Sequence, residues 1–427
     1  MRGGVCNMKK YLPDFSLLNR NRSFALLFFG QWVSFMGSMM TVVAVPYQVY
    51  QETHSMALVG SLGLVQLGSL LMCALWGGTI ADKYHRKPLL LLTGLLSTVG
   101  SLFLAFNAQF FSSVPLIFLL AAFMVGVTAV DRPSRDAFVQ QILRKEDFVA
   151  YSSITAFKNN FCMIAGPAIG GLLLAHAGLV VLYSLDAFSF LFILCTLFFV
   201  PSHANPGADR KVAFWALLKE GLQFAASKQT LMGSYLVDFL AMLFGMPVAL
   251  FPAMALHMYG TASLGWLYAA PAVGGLAFSI ISGSVSQIKR HGLAISISAA
   301  LWGIAIICFG LSHSLWVALF FLALAGGFDA ASALFRQTLW NETVPNTLRG
   351  RLASLEMLSY MSGPKLGDAE AGFIASMWGI PASIISGGVL TVLSVFVCGV
   401  VLPEFTAYSS EVGGENLNVQ REKEELK

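Results

Sequence analysis

Twelve runs of about 20 or more mostly apolar residues dominate this chain, each long enough to carry a helix across the hydrocarbon core of a bilayer. They fall at approximately 23–48, 57–81, 88–107, 114–131, 150–175, 179–200, 230–256, 263–286, 291–311, 314–335, 352–376 and 380–402. Inside lipid the backbone has no solvent partner, so such runs must be helices or the strands of a closed barrel. Barrel strands are ~10 residues long and alternate in polarity, a pattern these runs lack. The expected fold is an all-α membrane protein with twelve transmembrane helices. Composition agrees: 56% of the 427 residues are hydrophobic and only 11% charged, against about a quarter charged in a soluble domain. Such a chain cannot be a soluble enzyme, a nucleic-acid binder or a secreted disulfide scaffold.

The few charges are placed unevenly. Twenty-four of the 26 Lys and Arg residues fall in the two ends and the alternate connections that share their side, and the opposite connections hold none. The positive-inside rule then predicts that both termini are cytoplasmic. The two exceptions, Lys158 and Lys365, lie within expected spans 5 and 11. The basic start resembles a signal peptide, but the apolar run after it exceeds the ~7–15 residues of a cleavable core, so it reads as a retained tail. Of six cysteines, five lie in apolar runs without metal-ligand spacing and read as buried thiols.

A polar connection at 201–229 divides the spans six and six. Its second part, FWALLKEGLQFAASK, places Phe214, Leu217, Leu218, Leu222 and Phe224 at roughly helical spacing, as in an amphipathic surface helix. The expected organisation is a cytoplasmic tail (1–22), a six-helix bundle (23–200), a cytoplasmic linker (201–229), a second six-helix bundle (230–403) and a polar cytoplasmic tail (404–427). Sliding the chain by 201 residues sets Arg135 on Arg336, Phe138 on Leu339, Leu143 on Val344 and Ser153 on Ser354. Two pseudo-symmetric six-helix halves are the arrangement of many secondary transporters, with substrate held between them near the bilayer midplane.

After span 2 the chain reads Gly78-Thr-Ile-Ala-Asp82-Lys-Tyr-His-Arg86-Lys87-Pro88, and span 5 holds Gly166-Pro167-Ala-Ile-Gly170-Gly171. The first resembles the signature loop of the major facilitator superfamily. The second resembles the helix-5 motif of that superfamily's drug and siderophore antiporters. Stretches such as VAVPYQVY (43–50), DRPSRDAF (131–138), LDAFSF (185–190) and GPKLGDAEAG (363–372) extend the resemblance across the chain, toward the branch of enterobactin exporters and macrolide-efflux proteins. The resemblance implies the major facilitator fold and a cytoplasmic gate in which Gly78, Asp82, Arg86 and Lys87 act with Arg132 or Arg135. Two positions depart from it. His85 replaces a usual Gly, and Gln287 replaces the Asp in the second half's copy of the loop, so the expected gate is asymmetric.

Charges within a bilayer cost ~2.5–3.5 kcal/mol each at a helix centre and are therefore functional candidates. Asp238 in span 7 and Asp329 in span 10 are the candidates to carry a coupling proton. Asp186 in span 6 reads as structural. Lys158, with Gln31 and Ser34 of span 1 and Asn159 and Asn160 of span 5, forms the candidate substrate set. Lys365, Asp368 and Glu370 form a cluster in span 11, where Lys365 and Asp368 at i,i+3 can pair. No phosphate-binding loop, zinc-protease or nucleophile-elbow motif occurs, and no metal-ligand cluster. The expected protein needs no cofactor and works as a monomer in the inner membrane, exporting a small amphiphilic molecule such as a siderophore or drug in exchange for protons. A lysophospholipid flippase, an importer of similar cargo and a non-transporting sensor are the alternatives.

Overall fold

The computed structural model describes residues 15–83, 85–201, 222–285, 288–345 and 348–409. Twelve long helices follow one another: α1 Arg22–Thr53, α2 Met56–Lys83, α3 Arg86–Phe110, α4 Val114–Ile142, α5 Phe148–His176, α6 Gly178–Phe198, α7 starting at Gln229–Phe244, α8 Ser263–Val285, α9 His291–Gly310, α10 Leu315–Thr343, α11 Arg349–Trp378 and α12 Ile380–Val401. Short helices at Ser16–Arg20 and Pro403–Ala407 flank them. The described residues contain no strand. Among the described residues, ten helices are long and apolar enough to cross a membrane. The other two are α5, diluted by Lys158, Asn159 and Asn160, and α11, which carries Glu356, Lys365, Asp368 and Glu370. The all-α, twelve-helix membrane architecture expected from the apolar runs is the one observed.

Three details depart from the hydropathy reading. First, α4 and α10 continue past their apolar runs to Ile142 and Thr343, so Arg132, Arg135 and Arg336 belong to helices rather than to loops. Second, α7 is not one rod. It stops at Gly245, whose neighbour-but-one Pro247 cannot donate a helical hydrogen bond. It resumes as a 3-10 turn (Val248–Leu250), a single α-turn (Phe251–Met254) and a π-helical turn (Ala255–Tyr259). Third, Cys195 is exposed rather than buried, whereas Cys162 and Cys398 are buried as expected. The amphipathic helix expected over 214–224 lies mostly outside the described residues. Residues 222–227 are helical, with Ala225 buried in a core that includes Leu231, Leu339 and Phe405.

Packing divides the chain into two compact units. One comprises Met1–Ala44, Leu70–Ser113 and Phe123–Asp209, the other Val45–Ser69, Val114–Ala122 and Arg210–Lys427. The first unit has a core of Phe24, Phe28, Phe138, Ile154 and Leu197. In it, α5 lies close against α1, because a Cβ at Gly170 would stand 3.1 Å from the Cα of Met40. The second unit contains an equally close seam between the start of α2 and α11. A Cβ at Gly60 would lie 2.5 Å from the carbonyl oxygen of Asp368, and one at Gly63 equally near that of Lys365. Small residues permit such backbone approach between helices in lipid. Around the units the surface is strongly apolar, with Phe110, Phe198, Trp316, Phe396 and Ile280 all exposed. Water cannot solvate such a surface, and acyl chains can.

Candidate functional site

Polar groups inside the helices are few, and each needs a partner to offset its desolvation. In the first unit, Lys158 is only 4% exposed. Its ammonium points to Gln31 Oε1 on α1 at 3.4 Å and lies 5.9 Å from the centre of the Phe28 ring. Two members of the predicted substrate set therefore meet, and no carboxylate neutralises the lysine within ion-pair distance among the described residues. The amide nitrogen of Gln31 is buried without a hydrogen-bond partner. Ser34 is buried one turn farther along α1. Asn159 and Asn160 are exposed on the other side of α5 from Lys158 and do not join this contact.

Asp186 is fully buried on α6, where Thr41 of α1 and Ser101 of α3 donate to its Oδ2 at 2.7 and 2.8 Å. It fastens three helices, in keeping with a structural reading. The burial of Gly78 and the side chain of Asp82 lie outside what is described. The basic groups beside them are engaged. Arg86 donates to the Ala137 carbonyl at 3.1 Å. Lys87 donates to the carbonyls of Phe198 and Val200 at the end of α6, at 3.1 and 2.5 Å, where a cation also complements the helix dipole. Arg135, one of the two candidate partners of Asp82, pairs with Asp131 one turn earlier on α4, and Thr93 donates to the same carboxylate at 2.7 Å. Arg132 is exposed. In the helix-5 motif, Gly166, Pro167 and Gly170 all face inward, and Gly166 and Gly170 abut Met39 and Met40 of α1. Gly171 is buried as well.

In the second unit, Asp238 of α7 forms an ion pair with Arg336 of α10. The sequence reading had put that arginine in a loop. Beside the pair, Trp340 Nε1 donates to the Tyr235 hydroxyl at 3.0 Å. Asp329, the other candidate, has no hydrogen bond or ion pair among the described residues. Lys365 and Asp368, at i,i+3, make no ion pair within bonding distance among the described residues, although the lysine still acts electrostatically on the carboxylate. Lys365 reaches Gln66 Oε1 of α2 at 2.6 Å, and Asp368 accepts the Ala249 backbone N–H at 3.1 Å. The break in α7 frees that N–H, so Asp368 repairs the break. Glu370 has one carboxylate oxygen buried without a hydrogen bond. The end of α1 meets the π-helical turn of α7 through Tyr50 Oη and His257 Nε2, 3.0 Å apart.

Sequence reasoning missed Arg336, Gln66 and the Tyr50–His257 contact. A lone glutamine within an apolar run was the available signal for Gln66. Nothing local marks the other two, because their partners lie far along the chain.

Twelve long helices with charges in their interior and seams of small residues are the architecture of a transporter of the major facilitator type. Solved structures share the fold. A bacterial homologue of the iron transporter ferroportin, in an inward-facing state, superposes with a TM-score of 0.68 at 16% identity, covering 90% of this chain and 98% of that one. A peptide transporter of the POT family gives 0.70 at 12% identity, covering 91% and 96%. The chain belongs to the transmembrane secretion effector family of major facilitator transporters, whose model matches residues 15–423. Among curated relatives, the enterobactin exporter EntS of Shigella boydii serotype 4 (strain Sb227) is 28% identical over 388 residues, covering 90% of this chain and 92% of the relative. EntS of Escherichia coli O1:K1 / APEC matches to the same extent.

Proposed function

We propose that this protein exports a siderophore-like small molecule across the inner membrane in exchange for protons, by alternating access of two six-helix halves (23–200 and 230–403), with both termini cytoplasmic. The observation that carries the substrate class is the full-length relationship to enterobactin exporters, at 28% identity over 90% of the chain. The interior chemistry supports it. Among the described residues no carboxylate lies within ion-pair distance of the buried Lys158 ammonium, which suits it to an acidic or phenolic oxygen of the cargo, and the amide nitrogen of Gln31 adds a donor. Asp238 supports the coupling. Protonating it neutralises the partner of Arg336, so proton and ion pair compete for one carboxylate. Gly78, Asp82, Arg86 and Lys87 serve the cytoplasmic gate, and the helix-5 glycines let α5 slide on α1.

Transport of enterobactin into inside-out vesicles tests this reading. An acid lumen should drive uptake, and collapsing the gradient should abolish it. Asp238→Asn should lose the response to the gradient. Full gradient dependence in that variant would remove Asp238 from the coupling. Uptake driven in the opposite sense would make the protein an importer.

A further inference from the structure

Helices α9 and α12 touch at one level and part at another. A Cβ at Gly303 of α9 would stand 2.9 Å from the carbonyl oxygen of Gly388, and one at Gly388 would stand 2.7 Å from that of Gly303. Nearer the start of α9, Gly292 abuts the backbone of Phe405 in the short helix Pro403–Ala407. Between these two glycine contacts the helices leave a notch of about 360 Å³, at the lower end of the ~300–1,000 Å³ usual for ligand sites. Ile297 and Ala300 line it from α9, Phe396, Gly399 and Val400 from α12. A Cβ at Gly399 would meet only the Thr406 methyl, at 3.5 Å, so the absence of a side chain there keeps the notch open. The two hydroxyls of the lining, on Ser296 and Thr406, donate to the Gly292 and Pro403 carbonyls at 3.1 Å each. The rest of the lining is apolar, and the notch therefore suits an alkyl chain rather than a polar solute.

Its length is that of one leaflet. Gly292 and Gly303 are ~16 Å apart along α9 at 1.5 Å per residue, against ~15 Å for half of a ~30 Å hydrocarbon core. Ile297, Phe396 and Val400 at its rim are exposed, so it opens toward the acyl chains around the protein. Lys289 and Arg290, both exposed, stand at the end where α9 begins. Arg290 precedes Ile297 by seven residues, two turns that bring both to one side of the helix. These two bases face one exposed acid, Glu404 of the short helix. We propose that the notch is a phospholipid site: one acyl chain lies between α9 and α12, and an anionic headgroup rests on Lys289 and Arg290. A basic cluster at the end of a cleft between membrane helices is the arrangement that holds acidic headgroups. The site shares no residue with the proposed cargo and coupling groups, so it does not depend on what is transported.

Photolabelling of the full chain in phosphatidylcholine liposomes tests the site, with a trace of phosphatidylglycerol carrying a diazirine in its acyl chain as the probe. Label on α9 and α12 should exceed label on an equally exposed face of α3, that of Leu95, Leu102 and Phe103. Unlabelled phosphatidylglycerol should compete the excess away. Equal labelling of the two faces, or an excess that unlabelled lipid does not reduce, would mean ordinary surrounding lipid and overturn the proposal. Gly399→Phe fills the notch and should cut the excess about tenfold, the scale of two displaced methylenes; an unchanged excess overturns the acyl assignment. If that variant does not fold, the competition in the wild type decides. Lys289→Gln combined with Arg290→Gln should lower the excess roughly 30-fold, the loss of two basic residues at a membrane surface. A diazirine phosphatidylcholine that labels the wild-type notch as strongly as the phosphatidylglycerol probe overturns the headgroup assignment.

Discussion

Arg336 and Lys158 show two ways to hold a cation among apolar helices. Arg336 is neutralised by Asp238, the two side chains being 15% and 12% exposed. Removing one partner strands the other charge. Arg336→Ala should therefore destabilise the protein by about 3–5 kcal/mol, lowering the thermal midpoint in detergent, and adding Asp238→Asn should restore most of the loss. Among the described residues Lys158 meets the Gln31 carbonyl at 3.4 Å and an aromatic face but no carboxylate within ion-pair distance, so the fold gains little from its charge. Lys158→Met should leave the thermal midpoint equal or higher, yet lower enterobactin transport by about tenfold if the cation serves cargo. A fall in stability without a change in transport would make the lysine structural. Both residues were visible in the sequence as charges, but their partners were not. Gln31 and Lys158 share no spacing rule, being 127 positions apart. Lys365 and Asp368 do share one, yet each also hydrogen-bonds to a group on another helix, which no spacing rule reveals.

Helices were legible where apolar length decides and less so where their ends or interruptions do. Hydropathy ends α4 and α10 where charge begins, but a helix continues as long as its backbone bonds are satisfied, and carboxylates hold its arginines, as Asp131 holds Arg135 and Asp238 holds Arg336. That is why Arg135 and Arg336 were assigned to loops. The interruption of α7 follows from Gly245 and Pro247, yet its repair by Asp368 requires a residue 119 positions away. Helix contacts can be tested by a pair of adjacent glycines on α8. A Cβ at Gly274 would collide with the Ala323 carbonyl of α10, whereas one at Gly275 would be 3.6 Å from the Gly326 carbonyl oxygen. Gly274→Ala should cost about 1–3 kcal/mol, as overpacking does. Gly275→Ala should be near neutral. Thermal unfolding of the two variants side by side checks the packing of α8 on α10.

For the whole molecule, the distribution of Lys and Arg predicts that a tag at the C-terminus is cleaved by protease in inside-out vesicles and protected in spheroplasts; the reverse pattern would invert the topology. The dimensions of the helices add a mechanical constraint. At 1.5 Å per residue, α6, α9 and α12, with 21, 20 and 22 residues, match a hydrocarbon layer of ~30 Å. By the same measure α4 and α10, with 29 residues each, overshoot by ~13 Å. Arg135 and Arg336 sit within seven residues or so of the far ends of those long helices. A membrane that departs from the thickness these helices match costs fractions of a kcal/mol per Å of mismatch. Reconstituted in phosphatidylcholines of graded acyl length, its transport rate should pass through a maximum and fall on either side.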